Sequence, residues 1–274
     1  MPAQWSKATL MSGAYDLFNE ARGIAADAIW RTMFRYSGTL RSSRLLPSRL
    51  KTSFAYRYAG QERAEIALTV AGMYPGGDYF EFGSEGFNTF RNFLTAFDIN
   101  GLTTKLPDTH FFAFDVFGDL DSGRGIREED SWYFERYRGD AHYREAERRL
   151  RKHGLLLDRC EFVKGYFEDT LNDAFKSRLD REGRKVGFAF LDCNISSSYR
   201  TCFEFLEGFM RTDRSFVYMD EYFLTLDVPQ MFDEFCCRLR ERYGLAVRYV
   251  RNAGSFGALF CLMQEGVLKP HTIV

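Results

Sequence analysis

Two acidic stretches carry the chemistry most easily read from this chain, Asp192-Cys193-Asn194-Ile195-Ser196 and Asp220-Glu221-Tyr222. Each follows an apolar run with the length and composition of a buried strand, near residues 186 to 192 and 215 to 220. As adjacent parallel strands, these runs set Asp192 and Asp220 side by side at the carboxyl edge of a sheet, with Asn194 and Glu221 within reach. An all-oxygen set of this kind suits a hard divalent cation, Mg²⁺ first, and offers no zinc site unless Cys193 turns inward. The plainer structural reading has Asp192 or Ser196 capping the next helix and the remaining acids solvated.

A second constellation is Tyr79-Phe80-Glu81-Phe82-Gly83-Ser84-Glu85-Gly86, an aromatic strand carrying one carboxylate and then breaking into glycines. A turn of this type lets a ligand approach bare backbone, and Glu81 indicates the ligand's charge. A pyrophosphate prefers amide donors at a helix N-terminus and is repelled by a fixed carboxylate. Glu81, with Gly83 and Ser84 in the turn, suits a cation, such as the sulfonium and ammonium of S-adenosylmethionine (SAM). Further along, Phe111-Phe112-Ala113-Phe114-Asp115 ends in a carboxylate placed to accept hydrogen bonds from both hydroxyls of a ribose, unless it only caps a turn. Val163-Lys164-Gly165-Tyr166-Phe167-Glu168 supplies a loop for the adenine, with Tyr166 or Phe167 on its face and Glu168 or a backbone group at its edge.

The elements that must position these residues follow from patterning. Residues 1 to 72 read as a helical extension, with Ala14, Leu17, Phe18, Ala21, Ile24 and Ala25 at spacings of three and four. Between 35 and 58, Arg and Lys interleave with aromatics, as a solvated connector, a subunit contact or an anion site. From 73 to 274 the alternation of apolar strand, turn and helix predicts an α/β domain with a mostly parallel, Rossmann-like sheet covered by helices on both faces. Strands are expected near 78 to 83, 110 to 115, 160 to 164, 186 to 192 and 215 to 220. Asn252-Ala253-Gly254-Ser255 marks a C-terminal antiparallel hairpin that brings the total to seven. A lid-like insertion, about 119 to 153, carries Tyr133, Tyr137, Tyr143 and Leu150 toward the mouth of the sheet.

Composition narrows the function classes. Net charge is −1, from 37 Lys and Arg against 38 Asp and Glu, so phosphate neutralisation gives no global drive toward nucleic acid. The six cysteines include no C-x-x-C pair and read as reduced thiols of a cytoplasmic protein. No stretch approaches the roughly 20 apolar residues that span a membrane. The 28 phenylalanines are expected to fill the core.

Taken in order, Glu81-Phe82-Gly83, Phe114-Asp115-Val116-Phe117-Gly118, Lys164 to Leu171, Leu191-Asp192-Cys193-Asn194 followed by Ser197-Ser198, and Met219-Asp220-Glu221-Tyr222 resemble the motifs of the macrocin O-methyltransferase family. The likeness covers about 78 to 225. It implies a class I SAM-dependent methyltransferase with bound Mg²⁺ that methylates a sugar or related hydroxyl on a natural product or glycoconjugate. Two positions depart from the family pattern: Asn194 stands where an Asp is usual, and Glu221 where Asp is usual.

The resemblance implies in-line displacement on the SAM methyl by an acceptor oxygen. Metal held by Asp192, Asp220 and Glu221 would orient that oxygen and lower its pKa, and a carboxylate there or His142 of the lid would take the proton. Two alternatives stay open: a metal-independent O- or N-methyltransferase, and a SAM-binding regulatory or assembly subunit without turnover. The expected partner is a small-molecule or glycoside acceptor, and the N-terminal helices leave room for a homo-oligomer.

Overall fold

The computed structural model describes residues 61–117, 143–144, 147–148, 150–151, 157–193, 195–224, 226–253 and 256–266. The chain divides into two compact units, 1–59 and 60–274, and every described residue lies in the second. The expected site residues His142 and Asn194, the segment 35–58 and most of the insertion lie outside the described residues.

The second unit is built on seven strands. They are β1 (Asp78–Phe82), β2 (Phe111–Asp115), β3 (Cys160–Lys164), β4 (Val186–Leu191), β5 (Arg214–Met219), β6 (Leu245–Ala253) and β7 (Gly257–Gln264). Their order across the sheet is β3-β2-β1-β4-β5-β7-β6, parallel from β3 to β5, with β7 antiparallel to both β5 and β6. This is the architecture expected from the alternation of apolar runs, and the strand bounds agree to within one or two residues. The central strands β1, β2 and β4 are buried along their whole length, as continuous apolar runs in a doubly covered parallel sheet should be.

Alternation along β1 sorts the aromatic residues onto two faces. Tyr79 pairs in register with Phe111 and Phe188, and its ring stacks on Phe93 at 4.2 Å. Phe93 belongs to α2 (Asn88–Ile99), which follows the helix α1 (Gln61–Gly72) in the chain and packs on this face. Phe80 and Phe82 point the other way, toward Phe112, Phe114 and Phe205. After α2 come α3 (Leu102–Lys105), α4 (Phe167–Thr170), α5 (Asp173–Arg181), α6 (Ser196–Leu206) and α7 (Asp227–Tyr243). Phe175 of α5 and Phe205 of α6 close the second face. The phenylalanines are thus largely core residues, as expected from their number.

The boundary expected at 72 moves toward the N-terminus. The second unit begins at Gly60, and α1 is one of its own layers, with Ile66, Ala67, Val70 and Ala71 buried. The reason is local: these residues form one apolar stripe at helical spacing, which has to be covered by the domain it precedes. Among the described residues no helix is long and apolar enough to cross a membrane, and all six cysteines are free thiols.

Candidate functional site

At the carboxyl end of β1 the backbone turns sharply through Gly83, whose φ is +86°. A Cβ built there would lie 1.9 Å from the carbonyl oxygen of Asp192, so only glycine lets the tips of β1 and β4 approach this closely. The same contact brings the Asp192 N–H to Phe82 O at 2.8 Å. Ser84 is buried and its hydroxyl bonds to Glu81 O at 3.3 Å, closing the turn on itself.

Glu81 is fully buried on the Tyr79 face. The Tyr79 hydroxyl donates to its Oε2, while Oε1 has no hydrogen-bond partner. Burial pushes this carboxyl up to about 8, opposed by the Tyr79 hydrogen bond. An orphaned carboxylate oxygen at a bare backbone turn is a costly arrangement, and a cationic donor would relieve it.

Asp115 ends β2 and is also buried. Its Oδ2 accepts from Glu85 N at 2.8 Å and its Oδ1 from Phe117 N at 2.9 Å. Both donors belong to residues with left-handed backbone, Glu85 at φ +36° and Phe117 at +48°. Asp115 therefore clamps the two strained turns that flank the sheet mouth, and each oxygen keeps a second lone pair for a ligand hydroxyl. Burial raises its carboxyl, against the pull of these backbone N–H groups. Tyr143, from the insertion, packs over this corner with ring centroids 4.7 Å from Phe117 and 5.9 Å from Phe87.

In the loop after β3, Phe167 turns into the core and meets Phe82 edge-on at 5.8 Å. Of the two rings expected near an adenine, Tyr166 is the one left half-buried at the surface, and Glu168 is exposed beside it. Phe167 is drawn inward because it opens α4, where the packing face is fixed by the strand it leaves.

The acidic residues do assemble. Asp220 N donates to Leu191 O at 2.9 Å, which extends the β4–β5 ladder by one residue. Asp192, Asp220 and Glu221 each offer an oxygen within 4.8 Å of the others. Cys193 points away, with its Sγ 3.9 Å from Cys202 Sγ, so the donor set stays all-oxygen. Tyr218 donates to Asp220 Oδ1 at 2.7 Å, and the Tyr199 hydroxyl donates to Glu221 Oε2. Burial, then repulsion by Asp220, pushes Glu221 up to about 7. Asp192 is raised as well, by burial and by its acidic neighbours, with Arg63 opposing.

Arg63 is the residue that sequence reasoning missed. From the first turn of α1 its NH1 reaches Asp192 Oδ2 at 3.0 Å, its Nε reaches Asp220 Oδ1 at 3.1 Å, and its NH2 engages Asp220 Oδ2. The guanidinium thus bridges two of the three carboxylates. Burial lowers the arginine's affinity for its proton, and the carboxylates outweigh that and raise it. A signal was present: Arg63 sits three and four residues before Ile66 and Ala67, on the buried stripe of an amphipathic helix. A cation there requires a buried anion to meet it.

No protein-family model matches this sequence, and no curated protein matches it. Solved structures do. The O-methyltransferase NovP superposes with a TM-score of 0.53 at 20% identity, covering 75% of this chain and 81% of its own. The methyltransferase CalS11 of calicheamicin gives 0.49 at 16% identity, over 85% and 90% of the two chains. The O-methyltransferase TomG from Streptomyces achromogenes, solved with SAM, gives 0.48 at 16% identity, over 74% and 80%. At these identities the likeness to NovP establishes the fold, a Rossmann-like, mostly parallel seven-stranded sheet closed by an antiparallel hairpin.

Proposed function

We propose that this chain is a SAM-dependent O-methyltransferase of the kind its motifs resemble, acting on a hydroxyl of a sugar or related polyol. The observation that carries this reading is the orphaned Glu81 Oε1 at the bare Gly83 turn, one strand from the Asp192–Asp220–Glu221 cluster. The first feature fits the ammonium of SAM, and the second fits the oxygen donors that Mg²⁺ takes.

When bound, SAM supplies an electrophilic methyl and a divalent cation supplies Lewis acidity toward the acceptor oxygen. The chain's own residues do the rest. Glu81 accepts from the ammonium and fixes the methionine end. Asp115 keeps its turns in place and offers its spare lone pairs to the ribose. Glu221 keeps Oε1, the oxygen Tyr199 does not engage, as a carboxylate oxygen that could accept the proton of the hydroxyl. Beside the cluster, Phe223, Leu224 and Phe256 are exposed, with Phe223 N bonded to Phe256 O at 2.8 Å. This apolar rim favours an acceptor whose hydroxyl is carried on an apolar scaffold.

The metal-free alternative has an observation in its favour, the Arg63 guanidinium already lying between Asp192 and Asp220. Calorimetric titration of S-adenosylhomocysteine, with NAD in parallel, tests the cofactor. Micromolar binding of the first and none of the second is expected, and silence for both would overturn the reading. Methyl transfer to hydroxylated acceptors after EDTA treatment, with and without added Mg²⁺, then separates the two enzyme mechanisms.

A further inference from the structure

Arg63 engages both oxygens of Asp220 and one of Asp192, so a metal taking an oxygen from Asp220 takes one that Arg63 holds. Mg²⁺ sits about 2.0 to 2.1 Å from its oxygen ligands and tolerates little distortion. Arg63 lies at hydrogen-bond distance from Asp192 Oδ2 and from both oxygens of Asp220. A divalent ion and a guanidinium sharing those oxygens would be two cations a few ångströms apart, with nothing between them but the ligands they compete for.

The rest of the geometry allows one to leave. The Arg63 side chain is 31% exposed, so an outward rotamer reaches water. Its helix does not have to follow. Ile66 and Val70 are fully buried beneath α1, and Glu65 Oε2 is paired with Arg251 NH2 at 3.1 Å. The Tyr218 hydroxyl stays bonded to Asp220 Oδ1 and the Tyr199 hydroxyl to Glu221 Oε2, so both acids keep a partner when Arg63 leaves.

We infer that Arg63 is the resident cation of the Asp192–Asp220–Glu221 cluster, and that a divalent metal and the Arg63 guanidinium occupy it in turn. Arg63 thereby sets the metal affinity of the site. It bridges Asp192 and Asp220 in metal-free protein and leaves by side-chain rotation when the ion enters. This rests on the cluster being the metal site of the proposed enzyme, but its readout is metal binding and not turnover.

The test is Mn²⁺ binding to the full chain by electron paramagnetic resonance, comparing wild type with Arg63→Gln, Arg63→Lys and Asp220→Asn. Arg63→Gln is expected to bind Mn²⁺ at least about tenfold more tightly than wild type, and to gain more thermal stability from Mg²⁺. Asp220→Asn is expected to lose Mn²⁺ in either background. Arg63→Lys keeps the charge without the two-pronged fit, so its affinity should fall between the two. If Arg63→Gln folds only when Mn²⁺ is added, that too supports competition; if it fails with and without metal, Arg63→Lys carries the comparison. Equal or weaker Mn²⁺ affinity in the Arg63 variants, or no Mn²⁺ bound by any of them, overturns the inference. S-adenosylhomocysteine titration on the same samples keeps the two readings apart. Loss of that signal alone removes the methyltransferase reading and leaves the competition result standing.

Discussion

The carbonyl oxygen of Asp192 occupies the space a side chain would need at Gly83, 1.9 Å from where its Cβ would be. One glycine therefore couples the turn after β1 to the acidic tip of β4. Gly83→Ala would have to adopt a φ of +86° and push the two strand tips apart. The expected cost is about 3 kcal/mol or more in urea denaturation, with S-adenosylhomocysteine affinity lost in whatever folded fraction remains.

Glu81 should reveal itself through pH. Its carboxyl is raised from the usual range to about 8, so the unfolded chain ionises first. Stability is then lost as pH climbs from about 4.5 through 8, at about 1.4 kcal/mol for each pH step of one across that interval. Glu81→Gln lacks that ionisation, so thermal melts should show the variant gaining on wild type over the same range. The same change removes the carboxylate proposed to meet the ammonium, and S-adenosylhomocysteine should bind about 10 to 100-fold more weakly. A variant that binds as well as wild type would remove Glu81 from the cofactor site.

Tyr199 and Glu221 form a buried pair, and Tyr199→Phe leaves Glu221 without that donor. The expected loss is about 1 to 3 kcal/mol at about pH 8. It should shrink near pH 5.5, because Glu221, raised to about 7, is protonated there and no longer needs a donor to a charged oxygen. A loss that does not vary with pH would mean the hydroxyl matters only for packing.

Asp78 serves as the comparison at the opposite edge of the sheet. Burial raises it to about 6, against the His110 N–H at 2.8 Å and Arg184, and its Oδ2 has no partner. Ionisation therefore costs stability as pH rises from about 4 through 6. Asp78→Asn should gain on wild type over that window by about 1 to 3 kcal/mol, while S-adenosylhomocysteine binding stays unchanged. Altered ligand binding would contradict the separation of the two edges.

Much of the fold was legible because its signals are local. Strand runs such as Phe111-Phe112-Ala113-Phe114 and Val186-Gly187-Phe188-Ala189-Phe190-Leu191 are apolar throughout, as strands buried on both faces must be. Each ends in an acid, so parallel alignment alone delivers Asp115, Asp192 and Asp220 to one edge. Phe167 is not legible in this way, because an aromatic after a strand reads the same whether it faces a pocket or, as here, packs in the core.

The sequence by itself determined the order of strands and helices, the bare turn at Gly83 and the acids that meet at the carboxyl edge, since each follows from residues adjacent in the chain. Only the tertiary structure decided what neutralises those acids. Arg63 lies 157 residues from Asp220, and no local pattern joins a helix before the first strand to the tip of the fifth. Their pairing depends on α1 burying its apolar stripe against the domain, which aims the arginine at the place where Asp192, Asp220 and Glu221 have been brought together.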